Sequence, residues 1–407
     1  MTKLLLAVVL FSFDLWLLAD TIGLSDFEAR GLEEDPMQSV QASQNKLLAG
    51  RETTAQSRYL PEISFATGTR QTLGAPKEYE TNRYYMITIR KDLLQIPQEA
   101  LATDRVRNEQ NLQKLSEQLY AQDRILLLRK AYFDLQYAQE AEAFNKEQLK
   151  IAQQVMELNQ VRAVKGLSSE LELARAKASF LKQKTAFEES GKNLEVALDH
   201  VHFMIPSLKG RNLMHLVPLV IKPEALASLP RFSRPKQKEE VYRAQSQDIL
   251  LQKRSLDERW LPSIDLSVER GTLEKTVLVA GASWRLPVSR FYERQDLENQ
   301  LQVLSEQDRL TKYNEEHGYQ SALKAAQILW KKYQDQAAVV STNEIIIKQS
   351  FRDYNNGRLS LLVYVQDFQA GLFEKTMLLQ LKHDLLSQLA TISQLQANPQ
   401  LFHSWLK

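Results

Sequence analysis

Arg58-Tyr59-Leu60-Pro61-Glu62-Ile63 returns 201 residues later as Arg259-Trp260-Leu261-Pro262-Ser263-Ile264. Three more pairs follow the same order. Leu112-Gln113-Lys114-Leu115-Ser116-Glu117-Gln118 matches Leu301-Gln302-Val303-Leu304-Ser305-Glu306-Gln307 at an offset of 189. Gly166-Leu167-Ser168-Ser169-Glu170-Leu171 matches Gly357-Arg358-Leu359-Ser360-Leu361-Leu362 at 191, and Asp35-Pro36 matches Arg234-Pro235 at 199. One such match is chance. Four in register mean that the chain is written twice, with modest insertions.

Each copy has the same internal order. A helical stretch (37–58 and 236–259) ends at the Leu-Pro pair, because proline cannot continue a helix and pushes the residue before it toward extended geometry. Alternating segments follow. Ile63, Phe65, Thr67 and Thr69 alternate with Ser64, Ala66, Gly68 and Arg70, and Tyr85, Ile87 and Ile89 alternate with Met86, Thr88 and Arg90. In the second copy Ile264, Leu266 and Val268 alternate with Asp265, Ser267 and Glu269, and a partner strand is predicted over 277–286. Period-two alternation marks half-buried strands. Two hairpins are expected, 62–91 with a loop over 71–83, and 263–286 with a tighter turn at Gly271-Thr272. Pro61 and Pro262 are the strand-leading turns.

After each hairpin a very long helix is predicted, over 98–165 and 288–356. The first span contains neither Gly nor Pro, and the second contains one breaker, Gly318. Leu112, Leu119, Leu126 and Phe133 recur every seven residues, as do Val340, Ile347 and Tyr354, a spacing that favours coiled-coil packing. At 1.5 Å per residue such a helix is roughly 100 Å long, far beyond the width of a compact domain. Both stop at a glycine turn, Gly166-Leu167-Ser168-Ser169 and Gly357-Arg358-Leu359-Ser360, where glycine supplies a positive φ and serine caps the next helix. Return helices are expected over 169–200 and 360–397. Between the copies, 201–234 holds four prolines and reads as an irregular segment with one or two short strands, and 398–407 is left as a tail.

Composition narrows the function. The chain has 407 residues, 52 Lys+Arg against 50 Asp+Glu, and a net charge of +2, which gives no basic patch for nucleic acid. Mean hydropathy is -0.38, and beyond residue 20 no apolar run is long enough for a transmembrane helix. Cysteine is absent, which removes disulfides, thiolate metal sites and a lipidated N-terminal cysteine. Lys3 followed by the apolar 4–13 and 15–19 reads as a secretory signal peptide over 1–19, with a buried or anchoring helix as the other reading. The first repeat is then 20–200 and the second 235–397.

The fold class expected is mostly α with a small β part: duplicated long antiparallel helical hairpins plus two β-hairpins. Four strands cannot close a membrane barrel, which needs at least about eight. Open strand edges are not tolerated in a bilayer, so strands in lipid require several chains to share one barrel. Ile87, Ile89, Ile264 and Leu266 would then face lipid, and Arg70, Arg90, Asp265 and Glu269 a wet lumen. Tyr59, Trp260, Trp284 and Tyr292 would form an interfacial aromatic belt. The alternative is a periplasmic coiled-coil structural or adaptor protein without a barrel, and periodicity alone leaves both open.

The chain resembles the TolC-like outer-membrane efflux and secretion channels over nearly its whole mature length. The resemblance rests on the duplication, the R-x-L-P-x-I motif before each first strand, the G-x-x-S turns, Arg234-Pro235 and Ala131-Tyr132-Phe133-Asp134-Leu135. It implies a homotrimer with a twelve-stranded outer-membrane barrel on a periplasmic tunnel of helices. It further implies turns that dock an adaptor (membrane fusion) protein coupled to an inner-membrane transporter. On this reading the docking turns are Gly166, Leu167, Ser168 and Ser169, with Gly357, Arg358, Leu359 and Ser360. Arg352, Asp353 and Tyr354 are expected to pair across neighbouring helices and close the tunnel. Channels of this kind often carry an acidic ring past the second turn, but Val363 and Gln366 occupy those positions, so Glu170 and Glu172 are the candidate negative charges.

No enzyme motif is present. The six histidines form no H-E-x-x-H spacing, and no phosphate loop or nucleophile elbow is found, so no catalytic residue, metal or cofactor is expected. A periplasmic adaptor would have one helical hairpin flanked by glycine-rich β modules; this chain has two hairpins and 13 glycines in all.

Overall fold

The computed structural model describes residues 22–58, 60, 62–73, 79–92, 96–166, 168–209, 216–222, 229–258, 263–270, 276–283 and 289–406. Two units are formed, one from 1–36, 120–235 and 314–407 and the other from 37–119 and 236–313. The described elements are α1 (Leu24–Glu33), α2 (Met37–Ser57), β1 (Glu62–Leu73), β2 (Tyr79–Asp92), α3 (Ile96–Val164) and α4 (Glu170–Met204). A 3-10 turn, Pro206–Leu208, follows. The second copy supplies α5 (Lys236–Glu258), β3 (Ser263–Arg270), β4 (Thr276–Ser283), α6 (Arg290–Asn355) and α7 (Leu361–Leu395), then α8 (Pro399–Ser404). The expected mostly α fold with a small β part is what the chain adopts.

Among the described residues the strands form one antiparallel sheet in the order β1-β2-β3-β4. Its register is complete from Glu62↔Arg90 to Leu73↔Tyr79 in the first hairpin. Among the described residues the hairpins meet through three pairs, Arg90↔Ser267, Lys91↔Leu266 and Asp92↔Asp265. The first hairpin is longer than its alternation indicated. Pairs such as Gln71↔Thr81 and Thr72↔Glu80 lie in the stretch expected to be loop. Polar residues there break the period-two signal, but backbone pairing needs no apolar side chains.

The long helices also outrun local propensity. Helix α6 passes through Gly318 without a break; a single internal glycine costs about 1 kcal/mol, which a helix of this length absorbs. In the sheet-bearing unit α3 is tied to α2 by Arg51–Glu109 and Arg107–Glu52, and to α5 by the buried Asn108 amide, which donates to the Ala244 carbonyl at 2.8 Å.

The other unit holds the main core, where Phe27, Leu128, Tyr132, Leu135, Leu385 and Trp405 are buried together. Of the motif Ala131-Tyr132-Phe133-Asp134-Leu135, all but Asp134 enter this core. The Tyr132 ring meets Phe27 edge-on at 5.4 Å, and its hydroxyl donates to the Val217 carbonyl at 2.9 Å. Burial pushes that hydroxyl up to about 12. Among its described residues the inter-repeat segment contributes two isolated bridges, Ile22↔Leu216 and Ile221↔Leu406.

At the centre lies Arg129, 2% exposed. Its Nε donates to Glu28 Oε1 at 2.7 Å, Nη1 to Ser393 Oγ at 3.1 Å and Nη2 to the Pro399 carbonyl at 2.9 Å. The guanidinium lies 4.6 Å from the Phe402 ring centre. Burial pushes the Glu28 carboxyl up, but hydrogen bonds with His403 and Arg129 outweigh it and hold the group below the usual range. A charge this deep is tolerated because every face of it is met. The expected tail is therefore structured: α8 is the far wall of the Arg129 site.

Candidate functional site

The two hairpin turns and the two faces of the sheet carry the residues singled out in the sequence. At the first turn Gly166 has φ +70° and donates its N–H to the Ala163 carbonyl at 3.0 Å. No atom lies within 4 Å of where a Cβ would sit, so glycine is required by the backbone conformation and not by space. Ser169 caps α4: its hydroxyl accepts from the Glu172 amide at 3.2 Å, and the Glu172 carboxylate accepts from the Ser169 amide at 3.2 Å. The Ser168 hydroxyl donates to the same carboxylate at 2.9 Å. This is a complete capping box. Glu172 is thus engaged by the turn itself, whereas Glu170 is exposed on the first turn of α4. Val164 is 85% exposed and Leu171 60%, so the turn presents apolar side chains beside Lys165. Leu167 lies outside the described residues, as do Pro61 and Pro262.

At the second turn Gly357 has φ +71°. The Arg358 N–H donates to the Asp353 carbonyl at 2.8 Å and the Gly357 N–H to the Tyr354 carbonyl at 3.0 Å, the bond pair of a Schellman motif. Ser360 caps α7 with a long contact, 3.5 Å from the Val363 amide. A capping box is impossible here, because Val363 stands where the first turn has Glu172. Arg358 and Ser360 are exposed and Leu359 is half-buried.

Behind this turn sits an aromatic stack. Tyr354 is 2% exposed and lies on Tyr364 at 5.5 Å with 13° between the rings; Tyr364 continues to Phe368 at 6.0 Å. Arg162, at the end of α3, donates to the carbonyls of Tyr354 and Asn355 at 3.0 and 3.1 Å, and its guanidinium lies 4.6 Å from the Tyr354 ring centre. Burial, with Tyr354 alongside, pushes the Tyr364 hydroxyl up to about 12; burial raises Tyr354 as well.

The three expected gate residues of this turn therefore separate. Arg352 is exposed, and Asp353 is half-buried and accepts from Gln349 at 3.1 Å. Tyr354 meets neighbouring helices of its own chain, through the Tyr364 ring of α7 and Arg162 of α3. Its heptad series with Val340 and Ile347 already assigned it to the packed face. Arg162 went unnoticed because a lone arginine near a helix end carries no distinctive pattern, although a cation beside a helix C-terminus is the arrangement that helix electrostatics favours.

On the sheet, Arg70, Arg90, Asp265 and Glu269 share one face by register, since Arg90 pairs with Ser267 and residues of equal parity follow it. Ile87, Ile89, Ile264 and Leu266 share the other, where Ile63 pairs with Ile89 and Phe65 with Ile87. Ile63 and Phe65 are both exposed in the single chain. Of the aromatic belt, Tyr292 is exposed and the rest lie outside the described residues. Among the described residues no helix is long and apolar enough to cross a membrane, and no cluster of His and acidic side chains could hold a metal.

Solved outer-membrane channels share this architecture. The Campylobacter jejuni CmeC outer membrane channel matches with a TM-score of 0.75 and 15% identity, over 92% of this chain and 85% of that one. The outer membrane protein VceC of Vibrio cholerae gives 0.74 and 14%, over 92% and 96%. The fold is that of the TolC-like outer-membrane channels. The open state of the Neisseria gonorrhoeae MtrE outer membrane channel aligns to the same fold with a TM-score of 0.72 and 13% identity, over 92% and 89%. No family model matches the sequence, and no curated protein does. At these identities the TolC-like fold is carried by the duplicated order of elements and by few individual residues.

Proposed function

We propose that the protein is the outer-membrane exit duct of an efflux pump or type I secretion system in a Gram-negative envelope. It is a passive channel with no catalytic step and no cofactor. The observation that carries this reading is the four-stranded sheet, with β1 and β4 at its edges and one register face formed by Ile63, Phe65, Ile87, Ile89, Ile264 and Leu266. Such a face suits lipid, and unpaired edges do not. Three copies would pair edge to edge into twelve strands, with Arg70, Arg90, Asp265 and Glu269 lining the lumen. The likeness to solved outer-membrane channels over some nine-tenths of the chain supports the same reading.

The long hairpins then extend into the periplasm. Their turns are the docking points for an adaptor protein that links the duct to an inner-membrane transporter. Exposed Val164 and Leu171 at one turn, and exposed Arg358 beside Leu359 at the other, supply an apolar and basic contact. Gly166→Asp or Gly357→Asp is expected to abolish export while the assembly still reaches the outer membrane.

The deciding measurement is the mass of the detergent-purified protein by light scattering, followed by conductance in planar bilayers. A trimer that conducts is expected. A monomer that stays in solution without detergent would overturn the duct.

A further inference from the structure

A charged residue stands before the proline that leads into α2 and into α5, and the two charges are opposite: Asp35-Pro36 and Arg234-Pro235. Each is buried against the long helix of its own repeat. Asp35 Oδ2 lies 3.6 Å from Arg124 Nε on α3, and Asp35 Oδ1 accepts from the Tyr120 hydroxyl at 3.3 Å. Arg234 Nε lies 3.3 Å from Glu315 Oε2 on α6. The offset of 191 that relates the two glycine turns also carries Arg124 onto Glu315. These bridges are one contact written twice, with acid and base exchanged between elbow and helix.

Docking alone does not explain the exchange, since either polarity would hold an elbow to a helix. A buried ion pair is moreover weak evidence for added stability, because desolvation offsets most of its attraction. The exchange matters when the alternatives are considered. A duplicated chain offers each elbow two similar long helices, and repeat proteins characteristically misassemble by such substitutions. Cross-docking here would set Asp35 against Glu315 and Arg234 against Arg124. Like charges in these water-poor sites, where the four side chains are 6–15% exposed, repel strongly.

We propose that the exchanged polarity of the two elbow bridges is a repeat-discrimination device. It admits each proline elbow to the long helix of its own repeat and rejects the other repeat's helix, in the same chain or in a second copy. The device depends only on the duplication and these contacts, and is independent of whether the protein is a duct.

The test reverses charges in the full-length protein and measures two things. One is recovery of a homogeneous folded assembly by light scattering; the other is hydrogen exchange at the elbow amides 33–35 and 232–234. Asp35→Arg alone should reduce recovery roughly tenfold or more, since it buries like charges together. In the double variant D35R/R124E the local pair is restored, but both elbows are now basic and both helices acidic. Elbow protection should return in the molecules that fold, while recovery stays low and mixed species persist. The quadruple variant D35R/R124E/R234D/E315R inverts both bridges and restores the distinction, so recovery should return to within roughly twofold of the starting protein. The loss of the Arg124 bond to the Met204 carbonyl is common to the double and quadruple variants, so their difference isolates discrimination. A double variant as homogeneous as the starting protein would overturn the proposal, leaving two local clamps. A quadruple variant no better than the double would overturn it equally.

Discussion

Gly166 and Gly357 adopt nearly the same φ, +70° and +71°, yet the two turns around them are held by different means. The first is stabilised by its own residues. Ser168, Ser169 and Glu172 close a ring of hydrogen bonds within five positions, and the flanking Val164 and Leu171 remain in solvent. The second has a weak serine cap and leans on tertiary packing, with Tyr354, Tyr364 and Phe368 stacked beneath it and Arg162 reaching over from the first hairpin. A duplicated backbone has thus diverged in what supports it. One turn is held by a local capping network and left smooth and accessible, while the other rests on packed aromatic rings.

That contrast can be broken by substitution. The largest effect is expected from Tyr364→Ala, which removes the middle ring of the stack and should cost about 3–5 kcal/mol of local stability, the range for deleting a buried aromatic. Native-state hydrogen exchange over 347–372 would read it, with the capped turn at 168–172 much less affected. Arg162→Met should come next, at about 1.5–3 kcal/mol for lost charge-assisted bonds to the Tyr354 and Asn355 carbonyls. Its signature is an effect on the second turn from a residue of the first hairpin; protection lost only near residue 162 would refute the cross-hairpin brace.

Smaller effects sharpen the comparison. Ser169→Ala should weaken the first turn by about 1 kcal/mol, and Ser360→Ala the second by less, since its 3.5 Å cap contact is long. Equal losses in the fraying of α4 and α7 would show that the second cap is stronger than its geometry indicates. The smallest effect is set by pH. His383 on α7 lies 2.7 Å from Asp134 on α3. That hydrogen bond, against burial, holds the imidazole above its ordinary pKa, helped by Asp384. A raised folded pKa means the contribution is full below the unfolded value of about 6.5 and is lost as pH rises through the folded value. Asp134 is half exposed, so the change should stay under about 1 kcal/mol. Exchange near 134 and 383 should therefore quicken on going from pH 6 to pH 8 relative to the turns, which hold no histidine.

Features that repeat or punctuate were legible without a structure. Leu60-Pro61 and Leu261-Pro262 mark where helix gives way to strand, and Gly166 and Gly357 mark the reversals. What escaped reading joins positions that no local pattern relates. Glu28, Arg129 and Ser393 look like ordinary polar helix residues, and only tertiary packing makes them one site. Tyr354 is the instructive case: its heptad spacing with Val340 and Ile347 marked the packed face on which it is found, 2% exposed. Periodicity guides here because it reports burial directly, whereas the Tyr364 and Arg162 partners lie on other helices that no local spacing relates to Tyr354.

The Arg129 site has a consequence in time. Its partners stand 101, 264 and 270 positions away, at Glu28, Ser393 and Pro399. A chain made from its N-terminus brings Glu28 to Arg129 early, but Ser393 and Pro399 are made 264 and 270 residues after Arg129. Contacts of such sequence separation form late. A growing chain thus carries an incompletely surrounded guanidinium until residues 393–402 are made, and that segment is the clasp that closes the core.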